Sequence, residues 1–423
     1  MGCKATLGEL CTFHRGASVP RARMFNSGNY LYIHYGDLYR GFEQRIDVED
    51  PAKPLPFILD SEKIKETQFL HDQDIVYVLT SETVDDLGHA FLFNNPRNRI
   101  AVSGTETTIV RIQRKDMVLP AYLNYVMQSP RFIAELRQYV RGMKVFRVHP
   151  NDAARISIDL PSLDKQAKVV ATLDAIFEKQ RVNNQLNGYL EELLFAKYDE
   201  LFPAESEHDG TLSDIGTVVG GATPSKKRAE YYCENGIGWI TPRDLSNSSD
   251  KFISQGAVDL TEEGYSSCSA KLLPAGSVLF SSRAPIGYVA IAAANVATNQ
   301  GFKSIVPKEE FGTAFAYCFL VRHKKKIADM GAGTTFPEVS GSMMKSVPLS
   351  LPSEQLCSEF SAFAHPILEQ QKSLELENRN LCLLRAALLP KLMSGEVDVS
   401  KVDLTQLNSH LYVCALHFAS AHS

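Results

Sequence analysis

The segment TLGELCTFHRGAS, Thr6 to Ser18, returns without a gap as TLSDIGTVVGGAT, Thr211 to Thr223, 205 residues further along the chain. Thr6, Leu7, Thr12, Gly16 and Ala17 recur as Thr211, Leu212, Thr217, Gly221 and Ala222, while Glu9, Leu10 and Ser18 meet Asp214, Ile215 and Thr223. Working outward, three more stretches repeat in the same order. YIHYGDL (Tyr32 to Leu38) answers WITPRDL (Trp239 to Leu245), and FLHDQDIVY (Phe69 to Tyr77) answers LLPAGSVLF (Leu272 to Phe280). ISIDLPS (Ile156 to Ser162) answers VPLSLPS (Val347 to Ser353), and a long helical pattern begins directly after each. A period of roughly 200 residues is far beyond that of a solenoid, so each copy is expected to be a domain.

The rest of the composition fits that plan and narrows the function. At 423 residues the chain suits two ordinary domains plus connections, and 44% apolar with 22% charged residues is a globular composition. The closest of the eight cysteines, Cys3 and Cys11, are eight apart, so no CxxC knuckle or redox pair exists. The longest near-apolar stretch, Val289 to Ala297, is far short of a membrane span, and the N-terminus lacks a signal-peptide core. These features imply a cytoplasmic protein with no membrane partner. A net charge of -5 argues against nucleic acid as a sum, but cations cluster locally: Arg15, Arg21 and Arg23; Arg141, Lys144 and Arg147; Lys226, Lys227 and Arg228; Lys324, Lys325 and Lys326.

Each copy opens as mixed α/β with a strand bias. Tyr30 to His34, Ile75 to Leu79 and Thr107 to Ile112 read as strands in the first, Ser277 to Phe280 and Lys303 to Val306 in the second. Leu119 to Tyr139 and its counterpart Phe311 to Met330 read as helical. From Asp164 to about Phe202 there is no proline and one glycine, enough for a single long helix. Val169, Ile176 and Leu190 share one seven-residue ladder, with Leu173 and Leu194 on a second and Gln180, Asn183 and Asn187 on the middle rungs. The second copy repeats the device with Phe360, Ile367, Leu374, Leu381 and Leu388. Seven-residue spacing is that of a coiled-coil seam, and two long, mostly polar helices each need a long narrow partner. Two amphipathic helices lying on their own domains remain the alternative. Pro366 marks an early kink or a shifted start.

No catalytic constellation is present. The chain has no GxxxxGK[ST] loop for ATP, no glycine-rich S-adenosylmethionine loop, and no Asn/Asp-Pro-Pro-aromatic methylation motif. Ser281, Ser282 and Arg283 lack a GxSxG setting. Eleven dispersed histidines form no HxxxH pair, so no metal site is expected.

An α/β domain, a long helix, a second such domain and a second long helix, in this order, resemble the specificity subunits of type I restriction-modification systems. The resemblance is carried by LGELCTFHRGAS and LSDIGTVVGGATPSK, by WITPRDL and ATNQGFKSI, by the IDLPS and LSLPS helix entries, and by the closing LLPKLMSGEVDVS, and it extends to about residue 404. It implies an α/β (α+β) fold in which two similar target-recognition domains, residues 1–162 and 205–352, are separated and linked by long helices, 163–204 and 353–395, forming an antiparallel coiled coil. Residues 396–423 are expected to be a flexible tail. The resemblance further implies a non-catalytic subunit that binds an asymmetric, bipartite double-stranded DNA target. Its partners would be two modification (methyltransferase) subunits and restriction (translocase/nuclease) subunits. No cofactor is expected in this chain, because S-adenosylmethionine, ATP and Mg would sit in the partners.

Arginine can bridge guanine, and asparagine or glutamine can bridge adenine, which selects candidate readers by residue type. In the first half they are Arg15, Arg21, Arg23, Tyr30, Tyr32, His34, Tyr35, Arg40, Lys144 and Arg147. In the second they are Thr223, Ser225, Lys226, Lys227, Arg228, Trp239, Thr241, Arg243, Arg283, Asn299, Gln300 and Lys303, with Trp239 also suited to a core. A tandem-domain coiled-coil scaffold that binds only proteins is the rival reading, and an enzyme with an unrecognised site is a third.

Overall fold

The computed structural model describes residues 3–39, 42, 44–50, 53–203, 208–331 and 337–397. They divide into two compact units, one formed by Met1–Lys179 with Leu381–Ser423 and the other by Gln180–Asn380, so each long helix is shared between units. The tail from residue 398 onward, expected to be flexible, lies outside the described residues.

In the first unit the opening repeat is a short strand, Cys3–Thr6, and one helical turn, Leu7–Leu10, held by a reciprocal cap. The Thr6 amide donates to Glu9 Oε2 at 2.7 Å and the Glu9 amide donates to Thr6 Oγ1 at 3.3 Å, satisfying two N–H groups that a helix start otherwise leaves open. The chain then enters a five-stranded sheet ordered Cys11–Arg15, Thr108–Ile112, Ile75–Tyr77, Ala90–Asn94, Arg45–Asp47. Its neighbours are antiparallel except the last pair, which is parallel. Alternation along one strand builds two cores. Ile75, Tyr77 and Leu79 face the side covered by helices Pro120–Gln128 and Pro130–Arg137, while Val76 and Val78 face the other. A smaller sheet sets Tyr30–Ile33 between Phe57–Ile58 and, in parallel, Ala101–Ser103.

The second unit repeats this topology. Thr211 and Asp214 form the same cap, and the sheet runs Gly216–Gly220, Lys303–Pro307, Val278–Ser282, Ile286–Ala292, Phe252–Ile253 with the same senses. Gly238–Ile240 pairs in parallel with Val296–Thr298, as Tyr30–Ile33 does with Ala101–Ser103. The helix-entry strands close each copy: Ser157–Leu160 pairs with Cys3–Thr6, and Pro348–Leu349 with Gly210–Thr211. Where the first unit has two helices broken at Ser129, the second has one, Gly312–Asp329.

The long helices run Leu163–Leu201 and Glu354–Ser394. Within the second unit their contacts descend on one helix as they ascend on the other, which is antiparallel pairing: Asn183 Nδ2 donates to Asn378 Oδ1 at 3.0 Å, Asn187 Nδ2 to Glu375 Oε1 at 3.4 Å, and Gln371 Nε2 to the Asn187 carbonyl at 3.2 Å. The polar rungs therefore bond across the seam, and Leu190, Leu194, Phe360, Ile367 and Leu374 fill the apolar core beside them. In the first unit Val169 and Leu173 share a core with Leu389 and Leu392, and Ile176 is also buried. At its end the seven-residue ladder widens. Leu388 packs half-buried against the core of Val169 and Leu173, Leu389 and Leu392 beside it are buried, and Leu381 is half-buried, because a straight helix drifts by about 20° per heptad against a strict repeat. The helix also runs through Pro366 without a new start. Proline there forfeits one backbone bond, while Phe360, Ala364, Ile367 and Leu368 around it stay buried.

Candidate nucleic-acid interface

In the first unit the candidate segments meet around one helical turn, Tyr35–Leu38. It follows the strand Tyr30–Ile33 directly, and its cap is His34, whose Nδ1 accepts the Gly36 amide at 3.1 Å. Burial, opposed by Asp37 and reinforced by Arg21, lowers the His34 pKa, which keeps the ring in the neutral form that can accept this bond. Arg21 reaches Asp37 of the turn at 3.5 Å, tying the segment with Arg15, Arg21 and Arg23 to it. Just past the turn, Tyr39 donates to the Asp86 carbonyl at 3.3 Å and faces Ser81. Strand Thr80–Ser81 pairs with Phe146–Arg147, which brings in the third basic segment with Lys144 and Arg147. The Arg21 segment thus touches the turn itself, and the Lys144 and Arg147 segment is linked to its end through Ser81 and Tyr39.

Arg15, Arg21, Arg23, Lys144 and Arg147 are exposed; Tyr30, His34 and Tyr35 are half-buried, with Tyr30 edge-on to Phe69 and His34 tilted on Tyr35. Arg23 pairs with Glu62 at 3.2 Å. Tyr32 is a correction: it is wholly buried, its Oη donating to the Ala17 carbonyl at 2.8 Å, so it supports the surface rather than forming it. The strand is buried on both faces, Leu31 and Ile33 in one core and Tyr32 in another, so position 32 has no route to the surface. Arg40 lies outside the described residues.

The second unit gathers its candidates around the equivalent turn, Pro242–Ser246, and the bend between Thr298 and Lys303. Thr241 caps the turn, its hydroxyl donating to Asp244 Oδ2 at 2.6 Å. The Asn299 amide donates to the Ile240 carbonyl at 3.0 Å, Asn299 Oδ1 accepts the Gly301 amide at 2.8 Å, and Thr223 Oγ1 donates to Gln300 Oε1. Gly301 packs so near Pro242 that a β-carbon there would stand 3.0 Å from the ring. On the same bend Lys303 lies 3.6 Å from Glu338, and Arg283 lies 3.5 Å from that same carboxylate. Ser225, Lys226, Lys227 and Arg243 are exposed. Arg228 is turned to its own segment, 3.6 Å from Glu230 and over the Tyr231 ring. Trp239 is buried and donates Nε1–H to the Ala222 carbonyl at 3.1 Å, so among the two readings of this residue the core is the observed one.

Reasoning by residue type selected cations and amides and passed over the carboxylates that hold them. Asp37 was legible, since it repeats as Asp244 in the GDL and RDL segments. Glu338 carried no such signal. Its counterpart emerges from backbone geometry: the Val148 amide donates to the Leu79 carbonyl at 2.9 Å and the Val339 amide to the Ser282 carbonyl at 3.0 Å. Val148 and Val339 are themselves equivalent, because each stands nine residues before the residue that pairs with its unit's capping threonine, Ser157 with Thr6 and Pro348 with Thr211. The residue before each valine is therefore Arg147 in one unit and Glu338 in the other, a reversal of charge at one place in the fold.

Among the described residues no group of three or more His, Cys, Asp or Glu side chains could hold a metal ion, and no helix is long and apolar enough to cross a membrane.

Residues 205–378 match the family model of the type I restriction modification DNA specificity domain. The chain is 40% identical over 167 residues to the type I restriction enzyme MjaIX specificity subunit of Methanocaldococcus jannaschii, a match covering 38% of each protein. It is 24% identical over 464 residues to the HindI specificity subunit of Haemophilus influenzae, covering 86% of this chain and 98% of that one. A crystal structure of a type I restriction-modification S subunit from M. genitalium shares the fold, with a TM-score of 0.55 at 14% identity over 93% of this chain and 96% of that one. With the duplicated α/β units and these matches together, residues 205–378 carry a type I restriction modification DNA specificity domain, and the chain as a whole is similar to type I restriction enzyme specificity subunits.

Proposed function

We propose that this chain reads an asymmetric, two-part double-stranded DNA target, one part with each unit, and directs modification and restriction subunits to it without catalysing a reaction. The reading domains are taken as residues 1–162 and 205–352. The observation that carries the proposal is the duplicated arrangement: candidate readers gather around the same short helical turn in both units, yet the side chains differ, down to Arg147 against Glu338. Identical scaffolds with different presented groups can read different bases. The family matches favour this over a protein-only scaffold.

Partner subunits would meet the long helices. On Leu163–Leu201 the side chains of Val182, Tyr189 and Leu193, seven and four apart, share one face and are exposed. Leu376 and Leu383 repeat the seven-residue interval on Glu354–Ser394 and are exposed as well. Such faces suit amphipathic helices of modification subunits. S-adenosylmethionine, ATP and Mg belong to the partners in this reading, and the complex works in the cytoplasm.

The test is to co-express the chain with its modification subunits and map methylated adenines across a genome. Arg283→Ala and Lys303→Ala should relax the bases of one half-target and leave the other intact, and Arg21→Ala should do the reverse. Loss of both halves by either set, or methylation indifferent to both, would refute the division of labour. Methylation or cleavage by the purified chain alone would refute its non-catalytic role.

A further inference from the structure

The first unit carries a hairpin whose last residue, Arg147, is matched in the second unit by a residue of opposite charge, Glu338. Arg141 and Arg147 exchange backbone hydrogen bonds, Arg141 N–H to the Arg147 carbonyl at 2.9 Å and Arg147 N–H to the Arg141 carbonyl at 2.8 Å, closing a tight hairpin over Gly142 to Phe146. Gly142 has φ of 114°, and a β-carbon there would stand 2.0 Å from the Val145 carbonyl oxygen, so the turn requires glycine. The base of the hairpin is anchored. Phe146 and Arg147 pair with Ser81 and Thr80, Phe146 packs on the unit's core, and Arg141 reaches Asp152 at 3.4 Å.

At the tip of this rigid base stands Met143, 95% exposed, the highest exposure of any large apolar side chain among the described residues. Val145 beside it is also exposed. An exposed methionine gains from burying its apolar surface on a partner, and the residues flanking it in the hairpin are Lys144, Arg147 and Arg141 together with Val145. From Arg137 to Asn151 the chain contains Arg137, Arg141, Lys144 and Arg147 and no acidic residue. Among the described residues no carboxylate lies within ion-pair distance of Lys144 or Arg147. An apolar point flanked by unneutralised cations is matched to an anionic polymer with an apolar interior. A membrane surface would need a wider apolar face than one side chain.

Resting on the DNA-reading assignment above, the geometry points to the Arg141–Arg147 hairpin as a wedge: Lys144 and Arg147 hold phosphates, and Met143 enters a groove and unstacks one base step of the half-target read by the first unit. Unstacking a step costs a few kcal/mol and differs with sequence, so the wedge selects a deformable step that no hydrogen bond reads. The charge reversal at Glu338 means the other unit has no such cation at the matching position.

The experiment uses the full chain assembled with its modification subunits and a target duplex defined by methylation mapping of the wild type. 2-Aminopurine, which pairs with thymine, replaces in turn each adenine of both halves other than those that the modification subunits methylate and turn out of the stack. A wild-type complex should brighten the probe at one step in one half; Met143→Ala should abolish that signal and weaken target binding about 10-fold, Met143→Leu should restore both, and thermal stability should be unchanged because the side chain is exposed. Lys144→Ala should weaken binding to all sequences and reduce the salt slope by about 1. Sequence-specific binding with no brightened position, or brightening that survives Met143→Ala, overturns the wedge alone. A wild-type complex that shows no sequence preference overturns the DNA-reading assignment, and the wedge with it.

Discussion

Tyr32 Oη donates to the carbonyl of Ala17 at 2.8 Å, and 207 positions along the repeat Trp239 Nε1 donates to the carbonyl of Ala222 at 3.1 Å. Two aromatic residues of different kind thus clasp the same loop, the one that carries the first basic segment in each unit, to the same small sheet. Tyr32 Oη also accepts the amides of Val19 at 3.2 Å and Thr105 at 3.1 Å, so it ties three backbone groups together. Tyr32→Phe leaves these groups short of a buried partner and should cost about 1–3 kcal/mol in urea denaturation. A loss below a few tenths would show that water replaces the hydroxyl.

Lys251 should behave as a structural cation. It is buried, with Nζ on Glu191, donating to Gln371 Oε1 at 2.6 Å, and over the Tyr317 ring at 4.8 Å. Lys251→Ala removes the partner of a carboxylate that keeps 30% of its surface in water. The expected destabilisation is therefore about 2–4 kcal/mol, under the range for a fully buried pair. Lys251→Met with Glu191→Gln should recover much of it, which thermal unfolding of the two variants would show.

The His34 cap makes stability in the first unit depend on pH. Because burial lowers its folded pKa below the ordinary 6.5, the unfolded chain binds the proton more readily, and the stabilisation present above that value is lost as pH falls through the folded pKa. A protonated ring cannot accept the Gly36 amide. Thermal unfolding measured from pH 7.5 to 5 should show this loss in the wild type and less of it in His34→Asn, which keeps a capping acceptor. His34→Ala should cost about 0.5–2 kcal/mol at neutral pH. Equal pH slopes in all three proteins would remove the cap from the account.

Glu338 neutralises two candidate readers at once, Arg283 at 3.5 Å and Lys303 at 3.6 Å. Glu338→Gln should raise affinity for unrelated duplexes and steepen the salt dependence of binding by about 1 to 2. Arg283→Ala should cost about 1–3 kcal/mol on the target alone if it bridges a base. Filter binding over a salt series separates the two effects, and an Arg283→Ala loss that is equal on all sequences would make this residue a phosphate contact.

The duplication, the two helix entries and the strand-rich α/β character were written in local sequence, because caps such as Thr6 with Glu9, turns and hydrophobic periods act over a few residues. The same locality explains the errors. Period seven placed Leu388 at the core but could not count the drift that also buries Leu389 and Leu392 and leaves Leu381 half-buried. Residue type named Tyr32 as a reader, although its strand is buried on both faces.

By itself, then, the sequence determined that one domain was built twice and that each copy ends in a long helix, since repetition and periodicity are properties of the chain. Only the tertiary structure decided which cations stand together and which carboxylates restrain them. Arg21 with Asp37, and Arg283 with Lys303 and Glu338, are contacts made by sheet pairing across distant segments. Charges interact over a few ångströms of space, and separation along the chain says nothing about that distance.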